Sequence, residues 1–326
     1  MDRLIDKFGR RIDYLRISVT DRCNLRCVYC MPSCGIVTKA HEELLSFEEI
    51  SRIVKAAAYL GIAKIRLTGG EPLVRKNLAS LIISLNKISG IKDISMTTNG
   101  VLLKEYAAEL KEAGLKRINI SLDSLKEDRY RSITRHGALE DVLDGIGRAL
   151  ENGFSHIKLN VLLLDDITED EIKNFLILII ENNISVRFLE FMPVNSFYKS
   201  ENFVSCKTVM AVAKRLGVVE ESKALGSGPA KEYRLKDGLG TFGLISPMSD
   251  KFCASCNRLR LTSDGFMKSC LHSDLKVDLR NPLRKGIDEE GLARLIKLAV
   301  DIKPKEHSLD KGVPLVHEFS MCQIGG

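Results

Sequence analysis

Residues 14–30 read YLRISVTDRCNLRCVYC, and this stretch decides how the rest of the chain is interpreted. Its first part is rich in Leu, Ile and Val, which predicts a β-strand over Tyr14–Val19. Its second part places Cys23, Cys27 and Cys30 at the spacing C-x3-C-x2-C directly after that strand. Three thiols in one short loop indicate a metal or cluster site at the end of the strand.

Five further β-rich segments follow, each separated from the next by a longer amphipathic stretch. This alternation predicts successive βα units and a parallel sheet, an α/β fold. Six such units are too few to close a TIM barrel, so we expect a partial (βα)6 TIM-like barrel that is open on one side. The predicted strands are Tyr14–Val19, Lys64–Thr68, Asp93–Thr97, Arg117–Leu122, His156–Leu163 and Ser185–Phe191.

The alternation ends after the sixth predicted strand. Lys207–Leu216 has the pattern of a helix, the glycine-rich residues 226–243 predict short hairpin strands, and Glu289–Asp301 predicts another helix. We therefore expect a core over residues 1–220 and a smaller α+β region over residues 221–326 that covers the open side of the barrel.

The 326 residues are 44% hydrophobic, enough to bury a large core. No apolar run approaches the roughly 18 residues of a membrane span, and the N-terminus lacks a signal-type segment, so we expect a soluble cytoplasmic protein. The formal charge of +6 is spread along the chain and only hints at an anionic partner. Six of the nine cysteines fall into two tight groups, which favours metal or cluster ligation over disulfides.

The first cysteine group allows two interpretations. Three thiolates leave one iron of a [4Fe–4S] cluster without a protein ligand, and such an open iron can chelate a small molecule. A zinc site would need a fourth ligand, which Cys34 could supply. The motif Thr68-Gly69-Gly70-Glu71-Pro72 after the second strand favours the cluster, because glycines let the backbone approach a ligand closely.

These two motifs together resemble the radical S-adenosylmethionine (SAM) superfamily. In that superfamily the open iron binds the amino and carboxylate groups of SAM, and one electron from the cluster releases a 5′-deoxyadenosyl radical.

The second cysteine group has the spacing C-x2-C-x13-C and consists of Cys253, Cys256 and Cys270. A structural zinc completed by His272 is one interpretation. The following segment, Asn257-Arg258-Leu259-Arg260-Leu261, favours a cluster beside a phosphate site. In an extended segment Arg258 and Arg260 project from the same face, and two guanidinium groups suit phosphate oxygens.

The motifs C-N-L-R-C-x-Y-C-M-P, K-I-R-L-T-G-G-E-P and C-x2-C-N-R-L-R-L-T-x-D-G, with a Gly-Gly end, resemble the GTP 3′,8-cyclase family, also called molybdenum cofactor biosynthesis protein A. The resemblance extends from Arg16 to Gly326. It implies a lyase that converts GTP, with SAM, to (8S)-3′,8-cyclo-7,8-dihydroguanosine 5′-triphosphate in the first step of molybdenum cofactor biosynthesis. The radical would take hydrogen from C3′ of the ribose, and that carbon would then add to C8 of guanine.

The resemblance also implies roles for individual residues, with no catalytic group beyond the radical itself. It implies two [4Fe–4S] clusters, held by Cys23, Cys27 and Cys30 and by Cys253, Cys256 and Cys270. It implies a SAM site lined by Tyr29, Gly70, Ser121 and Met192. It implies contacts to GTP from Arg16, Arg66, Thr97, Lys158, Arg258, Leu259 and Arg260.

For its partners, the resemblance implies a homodimer, an electron-donor protein and transfer of the product to cyclic pyranopterin monophosphate synthase, with no nucleic acid or membrane. It implies that Gly325 and Gly326 reach into the active site. Cys34 and Cys322 do not belong to the family pattern. We take both as incidental thiols and regard Cys34 as the one more able to occupy the open iron.

Ordinary structural roles are the alternative for most of these residues. Arg16 could face solvent, Arg66 could pair with a carboxylate, and Lys158 could be solvated. The remaining structural alternatives are core packing for Met192 and helix capping for Ser121 and Thr97.

Two other functions compete with this assignment. A radical SAM peptide-modifying maturase also carries additional clusters, although its extensions usually contain more cysteines. A zinc-dependent nucleic-acid-binding module is disfavoured, because the basic residues lie at strand ends and the chain contains no Trp.

Overall fold

The computed structural model describes residues 4–193, 198, 202–222, 228–307, 309 and 321–324. Six strands lie side by side in chain order and pair in parallel. They confirm the predicted strands to within one residue at each end. These strands are Tyr14–Ser18 (β1), Lys64–Thr68 (β2), Asp93–Thr98 (β3), Arg117–Ser121 (β4), Ile157–Leu163 (β5) and Ser185–Glu190 (β6).

The C-terminal half adds strands to both edges of this sheet. They are Val219–Glu221 (β7), Lys231–Leu235 (β8), Thr241–Ile245 (β9), Arg258–Leu261 (β10), Phe266–Lys268 (β11) and Lys276–Asp278 (β12). β10 pairs in parallel with β1, and β9 pairs in parallel with β6. The full order is β12-β11-β10-β1-β2-β3-β4-β5-β6-β9-β8-β7, so the region expected to cover the open side widens the partial barrel itself. The predicted division at residue 220 falls within β7 and stays a prediction.

Helices alternate with the central strands and cover their outer face. They are Phe47–Tyr59 (α1), Leu78–Asn86 (α2), Leu103–Glu112 (α3), Glu127–Thr134 (α4), Leu139–Glu151 (α5), Glu169–Glu181 (α6), Cys206–Leu216 (α7), Arg280–Arg284 (α8), Glu289–Asp301 (α9) and Met321–Ile324 (α10). The two helices predicted in the C-terminal half are confirmed as α7 and α9. None of the helices in these described ranges is long and apolar enough to cross a bilayer.

The start of α1 shows how local sequence sets an element. Ser46 Oγ accepts a hydrogen bond from the backbone N–H of Glu49, and the Glu49 carboxylate accepts from the backbone N–H of Ser46. This capping box satisfies two backbone donors that the first helical turn leaves open.

The central strands present different chemistry on their two faces. Leu15 and Ile17 of β1 are fully buried and belong to the same apolar cluster as Ile53 of α1. Because strand side chains alternate, Arg16 points to the opposite face, into the barrel. If both faces of these parallel strands packed in an apolar core, their sequences would be continuous runs of hydrophobic residues. The alternation seen here therefore indicates a polar barrel interior.

Candidate active site

The first cysteine group occupies the loop that leaves the carboxyl end of β1. Backbone hydrogen bonds from Arg26 to Thr134 and from Val28 to Ile133 fasten this loop to the end of α4. Three thiols of the loop are thereby held close together, and each of Cys23, Cys27 and Cys30 is half-buried.

The protonation of these thiols depends on a bound cation. Burial raises the pKa of Cys23 to about 11 and raises that of Cys27 still further. A hydrogen bond with Cys322, together with burial, raises the pKa of Cys30. Without a metal the thiols are therefore neutral. A cluster fits this site because iron would supply the positive charge that thiolates need in a buried position.

The Gly-Gly pair packs against the cysteine loop. A Cβ on Gly70 would lie 2.3 Å from the carbonyl oxygen of Arg22, and one on Gly69 would lie 2.7 Å from that of Thr20. The Gly70 N–H donates to the Thr20 carbonyl at 2.8 Å. We expected the glycines to admit a ligand. In the structure, the absence of a Cβ at both glycines instead makes room for the backbone that leads into Cys23.

Glu71 connects the loops after β2 and β3. Its carboxylate accepts hydrogen bonds from Thr98 Oγ1 and the Asn99 backbone N–H, both at 2.7 Å. The Asn99 side-chain amide in turn donates to Asn24, beside Cys23, at 2.8 Å. Burial raises the pKa of Glu71 to about 7. The chain of contacts aligns three loops at the same edge of the sheet.

The residues predicted for SAM lie at this edge. Gly70 follows β2, Ser121 ends β4, and Met192 follows β6. Tyr29 lies in the cysteine loop, and its hydroxyl donates to Asp123 Oδ2 at 2.7 Å. The carboxyl ends of the strands therefore bring the four predicted positions to the edge where a barrel of this type binds ligands.

Three arginines form a row across the barrel interior. Arg16 of β1 lies opposite Arg260 of β10 on one side and opposite Arg66 of β2 on the other. Burial, followed by repulsion from Arg260 and Arg66, lowers the pKa of Arg16 well below its ordinary value. Like charges on neighbouring strands are destabilising, so this row is suited to a ligand with several negative charges. These three arginines thus lie within their strands and not at strand ends as expected, whereas Arg258 begins β10.

Lys158 faces the same interior from β5. It is only 4% exposed, so the solvated alternative is wrong. Burial, and then the nearby positive charge of Arg187, lowers its pKa to about 8. The opposing contribution comes from Glu232 of β8, whose Oε1 accepts a hydrogen bond from Arg187 at 2.6 Å.

Sequence reasoning missed the Arg187–Glu232 pair. Arg187 could have been found, because it alternates with apolar neighbours on a predicted strand in the same way as Arg16. Glu232 gave no such signal. It lies in the β8–β9 hairpin, and only the pairing of β9 with β6 brings it to Arg187.

Two polar side-chain atoms are buried in the barrel interior without satisfying their hydrogen-bonding capacity within the described part of the chain. Thr97 Oγ1 and Asn119 Nδ2 have no hydrogen-bond partner among the described residues. The two residues lie opposite each other on β3 and β4, and Asn119 lies opposite Lys158. Such an atom costs about 1–3 kcal/mol when it stays unsatisfied, so the interior is built to receive a polar ligand.

The alternatives for the other predicted residues are settled by their contacts. Arg66 donates to Ser95 Oγ at 3.3 Å and lies over the ring of Tyr14, not against a carboxylate. Ser121 and Thr97 cap no helix, since α3 and α4 begin several residues later. Leu259 is fully buried in the apolar core, so only its backbone can contact a ligand.

The second cysteine group lies beside β10 and is surrounded by hydrogen-bond donors. The Lys303 side chain is 2% exposed, donates to the carbonyl oxygen of Arg258 at 2.9 Å and is hydrogen-bonded to Cys256. Burial acts to raise the pKa of Cys256, but the charges of Arg258 and Lys303 outweigh it and lower the pKa to about 7. This thiol is therefore readily deprotonated, as an iron ligand must be.

Further contacts tie the segment after α9 to the same group. The Arg10 guanidinium donates to the carbonyl oxygens of Cys253 and Lys305, both at 2.9 Å. The backbone N–H of His307 donates to the thiol of Cys253. Sequence reasoning missed Arg10, Lys303 and His307, because isolated basic residues carry no motif and their partners are distant in the chain.

A single metal ion fits neither group. Within the described ranges, no three His, Cys, Asp or Glu side chains converge tightly enough to hold one ion. The thiolates of a cubane bind separate irons, which is compatible with a wider spacing.

The two extra cysteines differ from our expectation. Cys34 is exposed, and its thiol contacts the carbonyl oxygen of Gly35 at 3.7 Å. Cys322 of α10 is 2% exposed and is hydrogen-bonded to Cys30. The sequence did not predict this contact of Cys322 with the first cysteine group. Gly325 and Gly326, predicted to reach the active site, lie outside the described residues.

Known proteins match this chain in sequence and in fold. Residues 17–179 match the radical SAM superfamily, and residues 184–309 match the family Molybdenum Cofactor Synthesis C. The chain is 49% identical to a GTP 3′,8-cyclase of Peptoclostridium acidaminophilum over 99% of its own length and 98% of that protein. It is 47% identical to a GTP 3′,8-cyclase of Moorella thermoacetica, with 98% and 99% covered.

A solved structure shows the same fold. SuiB of Streptococcus suis, crystallised with S-adenosylmethionine, aligns with a TM-score of 0.63 over 88% of this chain and 69% of its own. The sequences are 15% identical, so this likeness concerns the fold alone.

The partial barrel, with its cysteine loop after the first strand, is that of a radical SAM enzyme. Such an enzyme uses a [4Fe–4S] cluster and SAM. More narrowly, the chain belongs to the GTP 3′,8-cyclase family, as its nearly full-length relatives show.

Replacing Gly70 tests the packing of the cysteine loop. In Gly70→Ala the new Cβ would collide with the Arg22 carbonyl, and we expect the displaced loop to lose up to about four irons per chain and to bind SAM poorly. Gly147→Ala is the matched control, since a Cβ there meets nothing within 4 Å. The iron content per chain and the affinity for SAM, both measured after anaerobic reconstitution, test this prediction. Full iron and unchanged SAM affinity in Gly70→Ala would contradict this account.

Proposed function

We propose that the protein converts GTP, with SAM, to (8S)-3′,8-cyclo-7,8-dihydroguanosine 5′-triphosphate, the first step of molybdenum cofactor biosynthesis. Family membership supports this reaction. The observation that carries it within the structure is the row Arg260–Arg16–Arg66. A triphosphate would offset the repulsion along this row, whereas a neutral peptide would leave it uncompensated.

The triphosphate and the nucleoside would use different parts of the interior. Arg16, Arg66 and Arg260 form the row, and Arg258 lies on the same face of β10, next to the second cysteine group. We assign the phosphates to these side chains. Thr97 and Lys158 lie across the barrel on β3 and β5 and would contact GTP from that side of the interior.

SAM would bind at the carboxyl ends of the strands, against the first cysteine group. When bound there, the cluster and SAM supply the 5′-deoxyadenosyl radical. Tyr29, Gly70, Ser121 and Met192 would line its site, with Tyr29 held by Asp123. Leu259 would contribute through its backbone. The chain's own task is to orient the two ligands and to exclude water, so that the reacting carbon meets the ribose.

The second cysteine group would hold a second [4Fe–4S] cluster. Three cysteines in one group, a thiol with a pKa of about 7 and the buried Lys303 ammonium beside it support this. A net negative thiolate cluster is stabilised by nearby cations and N–H donors. Its position next to Arg258 would place it at one end of the GTP site, where an open iron could meet the guanine.

The predicted partners are also part of the proposal. Their basis is the family, in which homodimers, an electron-donor protein and hand-over of the product to cyclic pyranopterin monophosphate synthase are expected. The partial barrel of the described residues supplies a polar cavity that suits a nucleotide, and we assign no role in nucleic-acid binding.

The reaction is tested by anaerobic incubation of reconstituted protein with SAM, a low-potential reductant and GTP. Mass spectrometry should detect 5′-deoxyadenosine together with a cyclised isomer of GTP, and ATP in place of GTP should give no cyclised product. 5′-Deoxyadenosine without any change in GTP would contradict the proposed substrate and favour a peptide-modifying maturase. Absence of both products from iron-loaded protein would contradict the reaction altogether.

Iron analysis tests the second cluster. We expect about eight irons per chain in the wild type and about four in both Cys27→Ala and Cys253→Ala, as two cubanes require. Cys27→Ala should form no 5′-deoxyadenosine, whereas Cys253→Ala should keep the first cluster. Cys34→Ala is the matched control and should keep all of the iron, because Cys34 is exposed and its thiol contacts the carbonyl oxygen of Gly35. Equal iron in wild type and Cys253→Ala would rule out the second cluster.

The pKa of Lys158 predicts a pH dependence of GTP binding. Below about 8 the side chain is protonated and attracts the nucleotide, and as the pH rises through that value the charge is lost. A hydrogen bond to a charged group contributes about 1.5–3 kcal/mol, so the dissociation constant for GTP should rise roughly tenfold or more. Equilibrium dialysis across this pH range measures it. Lys158→Arg keeps its charge and should show a flatter profile, and identical profiles would refute the assignment.

A further inference from the structure

The short helix α10 lies between the two cysteine groups. Ile324 is 1% exposed and packs against Phe266 and Leu271, the latter adjacent in sequence to Cys270. The carbonyl oxygen of Gln323 accepts a hydrogen bond from the Ser263 backbone N–H at 3.5 Å. These contacts fix the helix beside the strands that carry the second group, while the side chain of Cys322 contacts the first group.

Cys322, the second residue of α10, reaches the first cysteine group. It is 2% exposed and is hydrogen-bonded to Cys30, and it is close enough to Cys23 for the two sulfurs to interact electrostatically. A thiol from near the C-terminus therefore lies against Cys30 and close to Cys23, in the loop that follows β1. Cys34 belongs to the cysteine loop itself but is exposed, and its thiol contacts Gly35.

The number of cysteine ligands on a [4Fe–4S] cluster explains why the contact between Cys322 and Cys30 matters. Three cysteines leave one iron open for SAM, whereas four cysteines are the ordinary complement of a [4Fe–4S] cluster. A fourth thiol held against Cys30 and close to Cys23 is a ligand of the type that iron–sulfur clusters take. It is also a potential competitor of SAM for the open iron.

We propose that Cys322 is a displaceable fourth ligand of the first cluster, which binds the open iron while SAM is absent. On binding, the Cys322 thiol releases its proton to solvent and a sulfur–iron bond forms. When SAM binds, that bond breaks, the amino and carboxylate groups of SAM take its place, and the thiolate recovers a proton. No electron is transferred, so no oxidant or reductant is needed.

This arrangement would protect the cluster and couple SAM binding to the position of α10. An iron with four protein ligands has no open position for adventitious molecules. Displacement of Cys322 would free the thiol that joins α10 to the cysteine loop, while Ile324 keeps its packing against the second group. The proposal depends on the first cluster alone and is independent of the substrate and of the second cluster.

Affinity for SAM is the first test. We would compare reconstituted wild type with Cys322→Ser, using Cys34→Ser as the matched control and equilibrium dialysis of SAM without reductant. If the thiol occupies the iron in about nine molecules of ten, removing it should lower the dissociation constant for SAM roughly tenfold. Cys34→Ser should behave as the wild type. Equal affinity in Cys322→Ser and wild type would overturn the proposal.

Spectroscopy of the same proteins reports on the iron itself. The electron paramagnetic resonance spectrum of reduced Cys322→Ser should differ from that of the wild type without SAM and match it when SAM is saturating. Identical spectra without SAM would overturn the proposal. Loss of about four irons in Cys322→Ser would also overturn it, because the cysteine would then be an obligatory ligand.

Wild-type protein offers a test that needs no variant to fold. Iodoacetamide labelling of the reconstituted protein, analysed by peptide mass spectrometry, should show Cys322 protected without SAM and alkylated several-fold faster with it. Cys34, which is exposed in either case, serves as the internal reference. An alkylation rate of Cys322 that SAM does not change would contradict a displaceable ligand.

Discussion

The parallel pairing of β10 with β1 is the contact on which the site depends. It sets Arg260 beside Arg16 and is fastened at its start by Asn257, whose carbonyl oxygen accepts from the Asp13 and Tyr14 N–H groups at 3.2 and 3.3 Å. The two strands are more than two hundred residues apart in sequence. Through this one pairing, the C-terminal arginines and the second cysteine group share a cavity with the loop that leaves β1.

The interior is electrostatically costly by itself. Arg16 lies between two other arginines, Lys158 is buried with its pKa lowered to about 8, and Thr97 leaves a buried hydroxyl without a partner among the described residues. Each of these features opposes folding to some degree. The apolar outer face of the same strands compensates, because it packs the helices against the sheet. Stability and ligand binding are thus assigned to opposite faces of each strand.

The two cysteine groups occupy contrasting environments. The first is buried among thiols, which keeps it neutral until a metal binds. The second has Lys303 and Arg258 beside Cys256, which favour its thiolate in advance. Near the C-terminus, α10 lies close to both: Ile324 packs against Leu271, the residue after Cys270, and Cys322 is hydrogen-bonded to Cys30.

Much of the molecule was determined by the sequence itself. The βα alternation predicted six strands within a residue of their bounds, because alternating hydrophobicity and capping residues such as Ser46 act locally. The spacing of Cys23, Cys27 and Cys30 indicated a cluster with an open iron for a similar reason, since ligands in one loop need no tertiary contact to be recognised. Only the tertiary structure placed β9 and β10 at opposite edges of the sheet, brought Glu232 to Arg187 and carried Cys322 to Cys30. Those contacts join residues distant in the chain, and their geometry depends on strand pairing and packing that no local pattern encodes.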